Sequence, residues 1–253
     1  MIRVRLRFAK VGKVRFTSHR DLARIWERAL RRAEIPLVYS QGFSPRPRLH
    51  FGLALPTGAE SWAEYLDADL VGDEPPPVDL AERLTAMLPA GIDVTAAALV
   101  EPGEASLQQA VERCDWRIEV RGAGEAAAAG AVAHVLSSAE LPLPRERKGQ
   151  VSVDDVRPYI EELAVVGPTD AGTELTARLG TQPRGLRPAE LVAVLISSHA
   201  GLAGARGDAT AADVPVWEPG HVIRTHQWMQ RDGARQEPLP TATSAPHAEA
   251  RAS

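Results

Sequence analysis

Ile2-Arg3-Val4-Arg5-Leu6-Arg7-Phe8 alternates apolar and basic residues without a break. A period of two places Ile2, Val4, Leu6 and Phe8 on one face of a β-strand and Arg3, Arg5 and Arg7 on the other. Val11-Gly12 interrupts the pattern, and Lys13-Val14-Arg15-Phe16 is expected to resume extended structure, as a bend or a short hairpin. The period then changes. Ser18 is a suitable N-cap, with Asp21 three positions on as the second half of a capping box. Leu22, Ile25, Trp26, Ala29, Leu30 and Ala33 follow at helical spacing, which predicts an amphipathic helix closed by Pro36.

Working outward, Leu49 to Leu55 and Ser61 to Leu70 predict two further strands joined across Pro56-Thr57-Gly58. A helix from about Asp79 to Leu88 and a strand from Ile92 to Leu99 complete a β-α-β-β-α-β order, the ferredoxin-like arrangement. The order then recurs without a repeat in the sequence itself. Trp116 to Val120 is an expected strand and Glu125 to Ser137 an alanine-rich helix. Extended segments follow near 142–153, 160–166 and 173–179, then a helix from Leu186 to Ser198 and a strand from Val222 to Met229. The expected fold is therefore α+β: two tandem ferredoxin-like (βαββαβ) domains, 1–101 and 112–230. Residues 231–253 are polar and rich in Pro, Ala and Thr, and are expected to form a disordered C-terminal tail.

The net charge of −4 hides a strong asymmetry. Residues 1–50 carry 13 basic side chains against Asp21, Glu27 and Glu34, a surplus of +10. The rest of the chain carries 16 basic and 30 acidic side chains, or −14. Such separation bears on partners and steering rather than on fold. The single cysteine, Cys114, excludes an internal disulfide and a multi-cysteine metal or iron–sulfur site. No apolar run reaches the length of a membrane span, and Met1 to Lys10 lacks the continuous apolar stretch of a signal peptide. A cytoplasmic location is the resulting expectation.

Arg20, Arg24, Arg28 and Arg31 share the polar side of the predicted helix, within about a quarter turn of one another. Like charges at this spacing repel by a few tenths of a kcal/mol (roughly) per pair. A planar guanidinium fork suits phosphate. A solvated helix face and a polyanion site are the two readings of this stripe. The strand adds Arg3, Arg5 and Arg7 to the same expected surface. The loop Tyr39-Ser40-Gln41-Gly42-Phe43-Ser44-Pro45-Arg46-Pro47-Arg48 adds two arginines for phosphates and, in Tyr39 and Phe43, two rings for bases. The competing reading is a rigid connection whose aromatics cap the core. The candidate nucleic-acid-binding set is thus Arg24, Arg28, Arg31, Tyr39, Gln41, Phe43, Arg46 and Arg48. His19, at a helix start beside Arg20, is a candidate general base for RNA cleavage with His50 as a possible partner; the alternative is a residue that packs locally. Asp154, Asp155, Glu161 and Glu162 suggest a metal site less readily than a solvated strand end. No Walker loop, dinucleotide glycine fingerprint, zinc spacing or serine elbow is present in the sequence.

Lys13-Val14-Arg15-Phe16-Thr17-Ser18-His19-Arg20-Asp21-Leu22, Arg28-Ala29-Leu30-Arg31-Arg32-Ala33 and Tyr39 to Pro47 resemble the radical-SAM-associated family, a bacterial domain of unknown function. Pro56 to Leu70 continues the likeness, and Asp155 to Ile160 and Leu186 to Leu191 echo it more faintly. The resemblance implies a neighbour or fusion partner among B12-binding radical-SAM enzymes, often encoded near ribosomal proteins. This chain lacks the three-cysteine cluster of a radical-SAM enzyme, so the resemblance makes it at most the partner. Thr17 and Arg20 depart from the bulky apolar residue and the leucine common in relatives. No catalytic residue carries over. The leading expectation is a non-catalytic RNA-binding accessory protein, without cofactor or metal, serving a radical-SAM enzyme in modification or processing of tRNA or rRNA. A metal-independent endoribonuclease using His19, and a protein-docking module for the radical-SAM partner, are the alternatives.

Overall fold

A computed structural model describes residues 1–73, 76–147, 149–206 and 216–239. The chain separates into two compact units, Met1–Val111 with the described residues from Arg224 onward, and Glu112–Ile223.

In the first unit, β1 (Ile2–Lys10) is followed by α1 (His19–Arg32), β2 (Leu49–Phe51), β3 (Glu60–Leu70), α2 (Leu80–Met87) and β4 (Ile92–Leu99). Strand β1 lies between β3 and β4, antiparallel to both, and β2 pairs antiparallel with β3. Val4, Leu6 and Phe8 of β1 pack with Leu66 and Ala68 of β3 against Leu22, Trp26, Ala29 and Leu30 of α1 and Leu80 and Leu84 of α2. Trp26 has no exposed surface, and its ring meets Phe8 edge-on with centroids 4.9 Å apart. The helical apolar stripe read from the sequence is thus the core-facing side of α1.

Ser18 caps α1 as expected, its Oγ accepting from the Asp21 N–H at 3.2 Å. The Asp21 carboxylate reaches back to the Ser18 hydroxyl, 2.8 Å away. The helix ends before Pro36. Glu34 turns left-handed (φ 55°), and the N–H groups of Glu34 and Ile35 return to the carbonyls of Arg31 and Leu30. This is a Schellman closure without its usual glycine.

Extended structure was expected for Lys13–Phe16, but Gly12–Phe16 is a 3₁₀ turn. Gly12 takes φ 70°, its N–H donates to Glu60, and the buried Lys10 ammonium donates to the carbonyls of Arg15 and Thr17. Strand β2 is also shorter than the expected Leu49 to Leu55. The Leu53 carbonyl instead accepts from the Arg224 guanidinium at 2.9 Å.

A short helix α3 (Leu107–Ala110) leads into β5 (Val111–Arg121), and α4 (Glu125–Ser137) follows. Next come β6 (Pro142–Arg147) and β7 (Gln150–Asp155), which pair with each other as a separate two-stranded antiparallel sheet. Strands β8 (Ile160–Pro168) and β9 (Gly172–Gly180), helix α5 (Pro188–Arg206) and strand β10 (Glu218–Arg231) complete the order. Within the second unit β9 lies between β5 and β8, antiparallel to both. Cys114, Trp116, Ile118 and Val120 form the buried face of β5. Arg145 of β6 is buried between Asp154 and Glu190, the latter on α5.

The domain boundary expected at 230 falls earlier, because β10 passes into the first unit at Arg224. There Arg224 is buried against Glu64, and the Gln227 amide donates to the Ala63 carbonyl. The disordered tail expected from 231 also needs correction. Ala234–Gln236 forms β11, paired with Met229–Arg231 of β10, and Glu237 and Leu239 pack into the first unit. Residues 240–253 lie outside the described residues. No helix among the described residues is long and apolar enough to cross a membrane.

Candidate nucleic-acid interface

The basic N-terminal segment divides into arginines that are neutralised and arginines that are not. The expectation that Arg3, Arg5 and Arg7 present a cationic strand face is wrong. In register across β1 and β3, Arg3 faces Asp69, Arg5 faces Asp67 and Arg7 faces Tyr65. Arg5 is only 2% exposed; its fork binds both oxygens of Asp67 and also reaches Glu104 at 2.6 Å. Burial opposes the charge on Arg5, yet Asp67 and Glu104 outweigh it and hold the guanidinium more firmly protonated than usual. Arg7 is 6% exposed and meets Tyr65 and Glu237. Burial, aided by Glu237, pushes the Tyr65 phenol well above its ordinary range. Arg3 donates to Asp69 at 2.7 Å.

The outer side of α1 is the opposite case. Arg20, Arg24, Arg28, Arg31 and Arg32 are all exposed. Arg24 meets Asp21 at 3.1 Å, an exposed pair that holds little. None of Arg28, Arg31 and Arg32 has an ion pair among the described residues.

Val38 to Arg48 forms a tight antiparallel loop. Tyr39 bridges Pro47, Ser40 N–H donates to the Arg46 carbonyl at 2.8 Å, and Arg48 N–H donates to the Val38 carbonyl at 2.9 Å. Its base is tied to β3, since Val38 donates to the Asp69 carbonyl and Leu37 bridges Leu70. Pro36, just past the arginine-rich end of α1, accepts from Val71 N–H. The loop and that end of the helix therefore border the same end of β3. At the tip, Gln41, Arg46 and Arg48 are exposed, and Phe43 is fully so. Tyr39 is 41% exposed. Phe43 does not cap the core, and neither loop arginine has an ion pair among the described residues.

His19 lies away from this loop, at the other end of α1. It is exposed and meets the Phe51 ring edge-on, centroids 5.0 Å apart. A cleft of about 360 Å³ opens there, with both His19 and His50 in its wall. His50 Nε2 is 3.4 Å from both Arg3 and Asp69. Burial opposes the Asp69 charge, but Arg3 and His50 together hold its carboxyl below the usual range. The sequence singled out the two histidines; it did not show the Arg3–Asp69 pair beneath them, whose members are 66 positions apart.

The acidic residues considered for a metal are engaged elsewhere in the second unit. Asp154 pairs with Arg145 and Arg184, Glu161 with Arg113 and Glu162 with Arg178, while Asp155 accepts from the Leu141 and Arg157 N–H groups.

A family model described as an uncharacterized protein conserved in bacteria (DUF2344) matches residues 3–188. The chain belongs to this family. The match spans β1, α1, the Tyr39–Arg48 loop and most of the second unit. None of the curated proteins matches the chain to a significant degree.

Proposed function

We propose that this chain is a non-catalytic RNA-binding accessory protein of the cytoplasm, acting with a B12-binding radical-SAM enzyme in modification or processing of tRNA or rRNA. In this reading each unit is a ferredoxin-like half. Two observations support it: β4-β1-β3 with β2 on β3 in the first unit, and β5-β9-β8 with helices between strands in the second.

One observation carries the RNA-binding reading. Within the same fifty residues, every β1 arginine has a carboxylate within reach, whereas Arg28, Arg31, Arg32, Arg46 and Arg48 are exposed with no ion pair among the described residues. Carboxylates are plentiful in the rest of the chain, so their scarcity here is local. Exposed guanidinium groups on α1 and on the loop that carries a fully exposed phenylalanine suit a phosphate backbone with a base on the ring. Arg28, Arg31, Arg46 and Arg48 hold phosphates in this reading, with Arg24 contributing once Asp21 yields it. Phe43 and Tyr39 are the base platforms, and Gln41 is a hydrogen-bonding contact beside them. The radical-SAM partnership rests on the sequence resemblance alone.

The test is binding of labelled tRNA and rRNA fragments to the full chain at several salt concentrations. Binding that weakens steeply with salt, and is lost when Arg24, Arg28 and Arg31 are changed together to Glu, supports the reading. Unchanged affinity in that variant rejects it. Salt-sensitive association with a radical-SAM protein in the absence of RNA would instead make the basic face a protein-docking surface.

A further inference from the structure

We propose that the cleft between the start of α1 and β2 is a subsite for one nucleotide, a planar base carrying a phosphate. The proposal rests on the RNA-binding reading only for its natural ligand, an exposed nucleotide of the bound RNA.

The cleft joins three kinds of wall. Leu49, Phe51 and Leu107 make an apolar side, on which the exposed His19 ring stands edge-on to Phe51. A flat heteroaromatic base is the ligand shape that such a wall accommodates. His50 and Arg3 make the polar side, with the His50 Nε2 and an Arg3 amino group 3.4 Å apart. Both histidines are exposed, His50 beside Arg3 and Asp69, and His19 makes no hydrogen bond among the described residues. Imidazole and guanidinium together are donors suited to a phosphate oxygen.

Asp67 also lines the cleft, and a bare carboxylate there would repel a phosphate. It is not bare. Arg5 holds both of its oxygens, and Arg3 holds Asp69 in the same ladder. Glu104, which Arg5 also meets, is paired in turn with Arg231, so the ladder matches its carboxylates with arginines and leaves no bare negative floor beneath the cleft. At about 360 Å³ the cleft lies at the small end of ligand sites, which fits one nucleotide better than a longer segment. Its place in the chain connects it to the proposed interface, because Arg48, at the foot of the loop, directly precedes Leu49 and His50.

The experiment is a titration of the full chain with AMP, GMP, CMP and UMP, each paired with its nucleoside, and with inorganic phosphate. Imidazole proton signals of His19 and His50 and calorimetry are the readouts. At least one monophosphate is expected to shift both histidine signals and to bind about tenfold more tightly than its nucleoside or phosphate alone. Changing the exposed His19 to Ala should weaken that binding, and so should His50→Ala, with the fold checked by circular dichroism. Failure of every monophosphate to move the histidine signals overturns the proposal. So does inorganic phosphate acting as strongly as the nucleotides, which would leave only an anion site. Mononucleotide binding that persists while long RNA fails to bind even the wild-type chain would reject the interface and keep the cleft.

Discussion

Arg5 and Asp67 stand directly opposite each other on β1 and β3 and share two hydrogen bonds, Nε to Oδ1 at 2.8 Å and Nη2 to Oδ2 at 2.9 Å. Both side chains are 3% exposed. A buried pair of this kind is weak evidence of net stability, but breaking it from one side strands a charge. Asp67→Ala is expected to lower unfolding free energy by about 3 kcal/mol, the low end for a broken buried pair, because Glu104 remains beside Arg5. Urea unfolding measures it. A loss under about 1 kcal/mol would mean that Arg5 can reach water, as exposed pairs do.

Asp69 supplies the acid dependence. Burial alone would raise its pKa; Arg3 and His50 outweigh burial and lower it. The folded chain therefore binds this proton less readily than the unfolded chain does. The stability that Asp69 contributes is complete above about pH 4, the ordinary aspartate range, and is lost as pH falls through its lowered folded value. Stability measured against pH should show a shallower acid limb in Asp69→Asn than in the wild type. Identical acid limbs would remove Asp69 from the account.

Phe43 is fully exposed on a loop held by backbone hydrogen bonds that do not involve its ring. Phe43→Ala should change stability by less than about 0.5 kcal/mol. The same change should weaken single-stranded RNA binding about tenfold if a base stacks there. Parallel melting and binding curves separate the two effects. Equal RNA affinity in the variant would make the ring a bystander.

The accessory reading expects no RNA cleavage. Labelled RNA incubated with the chain in EDTA should be recovered intact. Cleavage that persists in EDTA and disappears in His19→Ala would establish His19 as a catalytic base and replace the accessory reading with a metal-independent nuclease.

Local pattern carried most of the element order. The alternation of Ile2 to Phe8, the apolar stripe of Leu22 to Ala33 and the Ser18 cap each declare an element within a few residues. What periodicity does not carry is the identity of the far partner. It assigns Arg3, Arg5 and Arg7 to the non-core face of β1, and that assignment is right; it cannot show that Asp67, Asp69, Glu104 and Glu237 cover the same face from as many as 230 positions away. The second face of a central strand is buried by neighbours, and a polar sequence does not exclude this when its charges are matched. The tail misled for a similar reason. Its composition is that of a disordered segment, yet Ala234–Gln236 adds a strand to β10 and Glu237 reaches Arg7. The α1 stripe and the Tyr39–Arg48 loop were legible because their solvent exposure follows from spacing and from prolines alone.

The most direct test of the divided arginine set is the salt dependence of RNA affinity, measured for the wild-type chain and for Arg28→Glu with Arg31→Glu and Arg46→Glu. Five exposed arginines on a single strand imply a slope of log affinity against log salt of about −3.5, at roughly −0.7 per phosphate neutralised. The triple variant should lose most of its affinity and bring the slope to about −1.4, the share of the two arginines left. A triple variant that binds as tightly as the wild type, with the same slope, would contradict the assignment of this face to RNA.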